Sequence, residues 1–262
     1  MTYKASVNMK TVDHVTWLTL NRPQSMNALN PDLIRELNYC IDLIESNNET
    51  RVIVITGLGR AFCSGVDLGH ALKQSESGWN SVASLLKDVS KTFDRIANCT
   101  IPCIAAVNGF AIAGGLELIL CCDLVVATES STFGDGHANY GLLPGGGATV
   151  RLAKKIGLTR AKEMLFTANT YSASEMKGFG LVNIVTSDTN LEKDTQNLAS
   201  SISNKSGSCI RHMKHLLDNG SQQPIETALK MEHLASEAHS YSPDFHEGLN
   251  AFKEKRKPIF NK

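Results

Sequence analysis

Two short glycine-bearing segments hold the residue types that chemistry at a carbonyl group would need. The first runs Ala61-Phe62-Cys63-Ser64-Gly65-Val66-Asp67-Leu68, and the second runs from Asn108-Gly109 through Ala113-Gly114-Gly115-Leu116-Glu117-Leu118. Paired glycines opening a helix leave N–H groups free to point positive potential outward. Two loops that each supply one N–H meet the requirement for stabilising an oxyanion on a carbonyl. Glu117 sits one helical turn beyond Gly114, so its carboxylate can lie on the same side as the Gly114 N–H. Flanked by Leu116 and Leu118, it would work in water-poor surroundings as a proton donor or acceptor. Each feature also has a purely structural reading. Gly65 suits a tight bend, Gly114-Gly115 suits close helix packing, and Glu117 could brace a neighbouring loop.

Both segments follow strand-like runs, which is how loops become fixed in space. Val15 to Leu20 alternates like a half-buried strand and ends at the turn Asn21-Arg22-Pro23. A helix follows, capped by Asn30 with Pro31 in its first turn, its apolar face made by Leu33, Ile34, Leu37, Ile41 and Ile44. Val52-Ile53-Val54-Ile55-Thr56 is too short for a helix and apolar on both faces, the mark of an interior strand. A helical stretch over residues 82–97, a strand over 103–107, a helix from about Gly114 and a strand over 124–127 come next. Strands and helices alternating at this pace predict an α/β fold with parallel pairing. From about Asn190 the strand signals vanish and the chain reads as polar helices to Lys262. The expected division is an α/β core over residues 1–195 and a helical region over residues 196–262.

Bulk properties narrow the partners. The 262 residues balance 26 basic against 26 acidic side chains, with 42% hydrophobic content. Nucleic acid, which demands basic excess, is not expected. The most apolar stretch, residues 101–126, is interrupted by Pro102, Asn108, Glu117 and Asp123, so no membrane span is expected. Seven cysteines without C-x-x-C spacing read as reduced, buried thiols, and Met1 to Lys4 lead into a strand-like segment without an apolar signal core. Together these predict a cytoplasmic protein. His212 and His215 have metal-compatible spacing, but no third ligand accompanies them, and they read as a solvated helix face, so no metal is expected.

A wider set of motifs shares one order and spacing. They are Leu20-Asn21-Arg22-Pro23 with Asn27-Ala28-Leu29, the residues 61–67, Ala106-Val107-Asn108-Gly109 with Gly114-Gly115-Leu116-Glu117-Leu118, and Cys122-Asp123. Leu143-Pro144-Gly145-Gly146-Gly147, Arg151-Leu152, Gly157, the stretch 173–182 and Glu247-Gly248 through Arg256 continue them to the last residues. In these segments the chain resembles the enoyl-CoA hydratase/isomerase (crotonase) superfamily over essentially its whole length. The resemblance implies a crotonase-like spiral of repeated ββα units, with a C-terminal helical region that builds trimers or dimers of trimers. It implies an acyl-CoA thioester as partner, with coenzyme A as part of the substrate. By motif position the oxyanion hole falls on the N–H groups of Val66 and Gly114. The residues Cys63 and Ser64 would pass the adenine and pantetheine, with Gly65, Asp67, Leu68 and Gly115 completing the substrate-binding surface. Gln24 stands where many relatives place a phosphate-binding Lys, and Lys255 with Lys257 could supply that charge instead, or could form a solvated helix end. Trp79 and Tyr140 could line the acyl pocket or belong to the core.

One position departs from the hydratase pattern. Hydratases of this family clamp a water between two glutamates, the second of them seven residues before the Pro of the Pro-Gly turn. Here Glu117 fills the first place and His137 the second. Imidazole can take or give a proton near neutral pH, so water chemistry is retained while the two-carboxylate clamp is not. Asp135 reads as a turn residue with Gly136, with orientation of His137 as the alternative. Gly146 stands where other members carry an Asp base. The expected activity is hydration of a 2-enoyl-CoA without metal or redox cofactor, Glu117 acting as principal acid–base and His137 assisting the water. The alternatives are an enoyl-CoA isomerase, another crotonase-type lyase or hydrolase, and a non-catalytic acyl-CoA-binding protein.

Overall fold

The computed structural model describes residues 5–75 and 79–260. The residues Met1 to Lys4 and the side chain of Trp79 lie outside the described residues. Among the described residues ten strands occur in chain order: β1 (Val7–Val12), β2 (Val15–Leu20), β3 (Val52–Gly57), β4 (Ala61–Cys63), β5 (Cys103–Val107), β6 (Phe110–Ile112), β7 (Leu124–Thr128), β8 (Thr132–Gly134), β9 (Thr170–Ser172) and β10 (Ile184–Thr186). The helices are α1 (Pro31–Ser46), α2 (Leu68–Ser75), α3 (Trp79–Ala97), α4 (Gly114–Leu120), α5 (Ala148–Ile156), α6 (Leu158–Thr167), α7 (Ala173–Phe179), α8 (Leu191–Ser203), α9 (Gly207–Gly220), α10 (Ile225–His239) and α11 (Pro243–Lys253).

The strands form two sheets. One is six-stranded in the order β1-β2-β3-β5-β7-β10, and the other is four-stranded in the order β4-β6-β8-β9. All pairings are parallel except β1 with β2 and β8 with β9. The pairs β3–β4, β5–β6 and β7–β8 each place a long strand in the first sheet and a three-residue strand in the second before the chain enters helix. Three ββα turns stacked this way make the spiral the resemblance implies.

The continuous apolar run of β3 has a clear cause. Ile53 and Ile55 face the main core with Leu37, Ile41 and Phe93, while Val52 and Val54 face a second cluster closed by Leu191 and Ala199 of α8. Alternate residues of a strand point to opposite faces, so both sets must be apolar. Asn30 caps α1 as expected, its side chain accepting from the Leu33 N–H at 3.0 Å. Residue 195 lies inside α8, whose Leu191, Thr195 and Ala199 are buried against the six-stranded sheet. The break in burial comes after Ser206, since α9 and α10 bury no residue.

Candidate functional site

Two strand ends bring the glycine loops together. After β4 the chain pairs Val66 with Leu29 as an isolated parallel bridge: Leu29 N–H donates to Gly65 O at 2.7 Å and Asp67 N–H to Leu29 O at 2.9 Å. In a parallel pair the residue whose neighbours bond across points its own N–H the other way. The Val66 N–H therefore faces away from Leu29. After β6 the chain turns sharply at Ala113, a non-glycine residue held at φ 52°, and opens α4 with Gly114. Such a φ is strained for alanine and persists because Ala113 N–H is tied to Gly134 O at 2.9 Å. A Cβ built on Gly114 would lie 3.2 Å from Gly65 Cα, and one on Gly65 would lie 3.1 Å from the Gly114 nitrogen. The two backbones are thus in direct contact, and among the described residues no acceptor takes the N–H of Val66 or of Gly114.

A polar scaffold fixes the first loop. Asn27, fully buried at φ 56°, donates to Leu58 O at 3.1 Å and Ala61 O at 2.8 Å, and accepts from Arg22 N–H at 2.9 Å. The Arg22 guanidinium bonds Ala28 O and pairs with Asp67 at 2.9 Å. The other Asp67 oxygen accepts from His70 N–H at 3.0 Å, which caps α2. Burial pushes the Asp67 carboxyl up, but the His70 N–H and the Arg22 guanidinium outweigh it and hold the group below its ordinary value. Arg22 and Asn27 were visible in the sequence as motif residues, yet their bracing role emerges only from the fold.

Glu117 lies on the core side of α4, 3% exposed. Its Oε1 accepts from Gly146 N–H at 2.7 Å and Ala148 N–H at 3.2 Å, where the Pro144-Gly145-Gly146-Gly147 turn enters α5. The helix N-terminus favours a carboxylate there. Oε2 takes no hydrogen bond from a described residue, so it is the oxygen left for proton transfer. Arg151 locks the turn, donating to Gly146 O at 2.6 Å and pairing with Asp94 at 2.6 Å. Glu117 is therefore both the loop brace and an available acid–base group.

His137 opens a 3-10 turn, His137–Tyr140, directly after β8. Its Nδ1 lies 3.0 Å from Asp135 Oδ1, and its backbone N–H donates to Asp135 Oδ2 at 3.2 Å. Asp135 therefore makes the turn and also holds the ring. Burial pulls the imidazole pKa down, but the hydrogen bond and charge of Asp135, with the charge of Glu117, outweigh it and raise it above the usual histidine value.

The other expected residues are distributed unevenly. Cys63 is fully buried in β4 and burial pushes its thiol up to about 12 despite the Gly65 N–H and the Arg22 charge, so its side chain belongs to the core. Its carbonyl oxygen backs directly onto Gly115. Ser64 N–H is tied to Met26 O at 3.1 Å, and Leu68 begins α2 with its side chain exposed. Tyr140 is 74% exposed in the single chain. Lys255 follows α11, exposed, and among the described residues no bond joins its side chain to the loops around Glu117. His215 bonds Asn219 and His212 stacks edge-on against His239, and no cluster of three metal-ligating side chains occurs among the described residues. No described helix is long and apolar enough to cross a membrane.

Known proteins resemble this chain across nearly their whole length. The enoyl-CoA hydratase/isomerase family model matches residues 10–262. YngF of Bacillus subtilis is 37% identical over 249 residues, with 95% of each chain covered. The short-chain-enoyl-CoA hydratase of Clostridium acetobutylicum is 34% identical over 244 residues, covering 93% of this chain and 92% of that one. The solved structure of an enoyl-CoA hydratase from Bacillus anthracis matches with a TM-score of 0.94 at 35% identity, covering 97% of this chain and 98% of that one.

Proposed function

Because the chain belongs to the enoyl-CoA hydratase/isomerase family, we propose that it adds water across the double bond of a 2-enoyl-CoA thioester. The observation that supports this reading is the contact between the Gly65 and Gly114 backbones, which brings together two loops whose Val66 and Gly114 N–H groups have no described acceptor, with the buried Glu117 one helical turn further on. The thioester oxygen would sit between the N–H groups of Val66 and Gly114. As the water oxygen bonds the β-carbon, charge moves onto that oxygen, where the two donors hold it better than in the ground state. The proton lost by water passes to the Glu117 and His137 pair, and the α-carbon takes one proton from the same pair, leaving the site unchanged after turnover. Glu117 Oε2 is the principal acid–base and His137 assists the water. Polarising the carbonyl and moving protons is the whole reaction, so no metal or redox cofactor is required.

Cys63, Ser64, Gly65 and Gly115 would contribute backbone to the channel for the pantetheine, and Asp67 would hold its loop through Arg22. The exposed apolar side chains of the last helices, among them Leu217, Leu229 and Phe252, support a trimer or dimer of trimers, in which Tyr140 and Lys255 could meet a neighbouring subunit's ligand. Six buried, unpaired thiols suit the reducing cytoplasm.

A panel of acyl-CoA thioesters incubated in heavy-oxygen water and read by mass spectrometry tests the reaction. One labelled water added to the acyl group is the expected result. Exchange of protons alone would replace hydration by isomerisation, and release of free acid would replace it by thioester hydrolysis. Glu117→Gln should lower kcat by about a hundredfold or more, the usual share of general acid–base catalysis, while acyl-CoA affinity is largely kept. Unchanged turnover would remove Glu117 from the chemistry.

A further inference from the structure

We propose that Asp135 is a positioning residue for this site: its carboxylate locks the His137 ring with Nδ1 carrying the proton, so that Nε2 is the atom that exchanges a proton with water. The inference rests on the hydratase reading for its consequence in turnover, although the pairing itself stands on geometry.

Both oxygens of Asp135 are committed to one residue. Oδ1 lies 3.0 Å from the His137 ring Nδ1 and Oδ2 accepts the His137 backbone N–H at 3.2 Å. An ionised carboxylate only accepts hydrogen bonds, so the ring nitrogen facing it must be the donor. The neutral ring then has its lone pair on Nε2. The side chain of Asp135 is 1% exposed and that of His137 13%, so the carboxylate is shut away while the ring keeps an edge in contact with solvent. Gly136 makes the short link possible by adopting φ 71°, which bends the chain so that side chain 135 reaches ring 137.

The arrangement has a direction. When Nε2 takes a proton from water as the water oxygen bonds the β-carbon, the ring becomes positive, and Asp135 stabilises that charge across the Nδ1–H bond. Nε2 then gives the proton up again, which leaves the ring neutral for the next turnover. The charged groups that act on the ring are Asp135 on its own loop and Glu117 from α4. On α6, which packs against the His137 turn, Arg160 is turned onto the ring of Phe179, 4.6 Å away.

The test combines nitrogen-15 spectra of the imidazole rings with steady-state kinetics on the full chain. Wild-type His137 should show a protonated Nδ1 and an unprotonated Nε2 when neutral. Asp135→Asn, which can donate to Nδ1, should move the population towards Nε2–H, shift the ring titration to lower pH, and reduce kcat by at least about tenfold with KM within about twofold. Asp135→Glu should recover part of kcat if its carboxylate regains the ring. A wild-type ring protonated on Nε2 would overturn the proposal without any kinetics. So would a folded Asp135→Asn variant with unchanged ring spectra and unchanged kcat. If the tautomer is as stated but no enoyl thioester gains water, the positioning of His137 is upheld and the hydratase reading fails on its own.

Discussion

Gly115→Ala tests the geometry on which the proposed oxyanion site depends. A Cβ at residue 115 would lie 2.0 Å from the Cys63 carbonyl oxygen and 2.7 Å from the carbonyl carbon. Those atoms are backbone within β4 and cannot rotate aside as a side chain would. Restoring an ordinary contact requires α4 and β4 to part by more than about 1 Å, and α4 has little freedom to do so harmlessly. Ala113 is pinned to Gly134, and Gly114 already touches Gly65 and Leu29. The separation therefore falls on the Gly65–Gly114 contact, moving the two N–H groups apart. A displacement of about 1 Å at a reacting centre costs roughly a hundredfold in rate, and overpacking of this kind costs about 1–3 kcal/mol of stability. For a chain of this size that corresponds to a Tm lowered by roughly 3–10 °C. The matched control is Gly178→Ala in α7, where an added Cβ meets nothing within 4 Å. It should leave kcat unchanged and raise stability by about 0.4–1 kcal/mol. Initial rates of hydration, followed as loss of the conjugated thioester absorbance, and thermal melts of all three proteins decide the matter. A Gly115→Ala enzyme that melts cooperatively with kcat/KM within about twofold of wild type would refute the reasoning.

Other perturbations probe the scaffold. Asn27→Ala removes a side-chain donor from each of the Leu58 and Ala61 carbonyls and places alanine at φ 56°, so urea unfolding should report a loss of about 2–4 kcal/mol. The His137 ring titrates above its ordinary 6.5 in the folded chain. Its contribution to stability is therefore fully present below 6.5 and is lost as pH rises through the folded value. The stability advantage of wild type over His137→Gln should accordingly shrink as pH rises above about 6.5, and a gap that widens would contradict the Asp135 pairing. Native protein should expose only Cys209 to an aromatic disulfide reagent, with the other six thiols reacting after denaturation; rapid modification of Cys63 in the native state would contradict its burial.

What the sequence could tell depended on how far each signal is local. β3 was legible because a strand buried on both faces must be apolar throughout, and α1 because Asn30, Pro31 and a helical stripe coincide. The strands β4, β6, β8 and β9 have three residues each, too few for any alternation, and only the glycine loops beside them marked their ends. β1 showed only as a strand-like segment after Lys4, without bounds, because a single residue, Val7, is buried in it. The helical character beyond Asn190 was readable, whereas the membership of α8 in the core was not. Leu191 and Ala199 meet Val52, Val54 and Ile104, contacts between residues far apart in the chain. Asp135 offered two uses, a turn or a partner for His137, and the fold realises both with one carboxylate.

The surroundings of Gly146 bear on the proposal that the second acid–base group lies on the β8 loop. A Cβ at residue 146 would sit 2.7 Å from Phe93 Cδ2 and 2.9 Å from Glu117 Oε2. The same residue supplies the closest N–H to Glu117 Oε1, at 2.7 Å. Bracing Glu117 through the turn backbone and placing an acidic side chain on that turn are therefore competing demands, because the side chain would occupy the space that Glu117 and Phe93 now fill. It would also set two carboxylates in near contact, where ionising both is unfavourable. A loop on another strand avoids the conflict. After β8, Asp135 holds a ring that can carry positive charge, so under the proposed proton transfer the charge developing on His137 is offset by the Asp135 carboxylate at 3.0 Å.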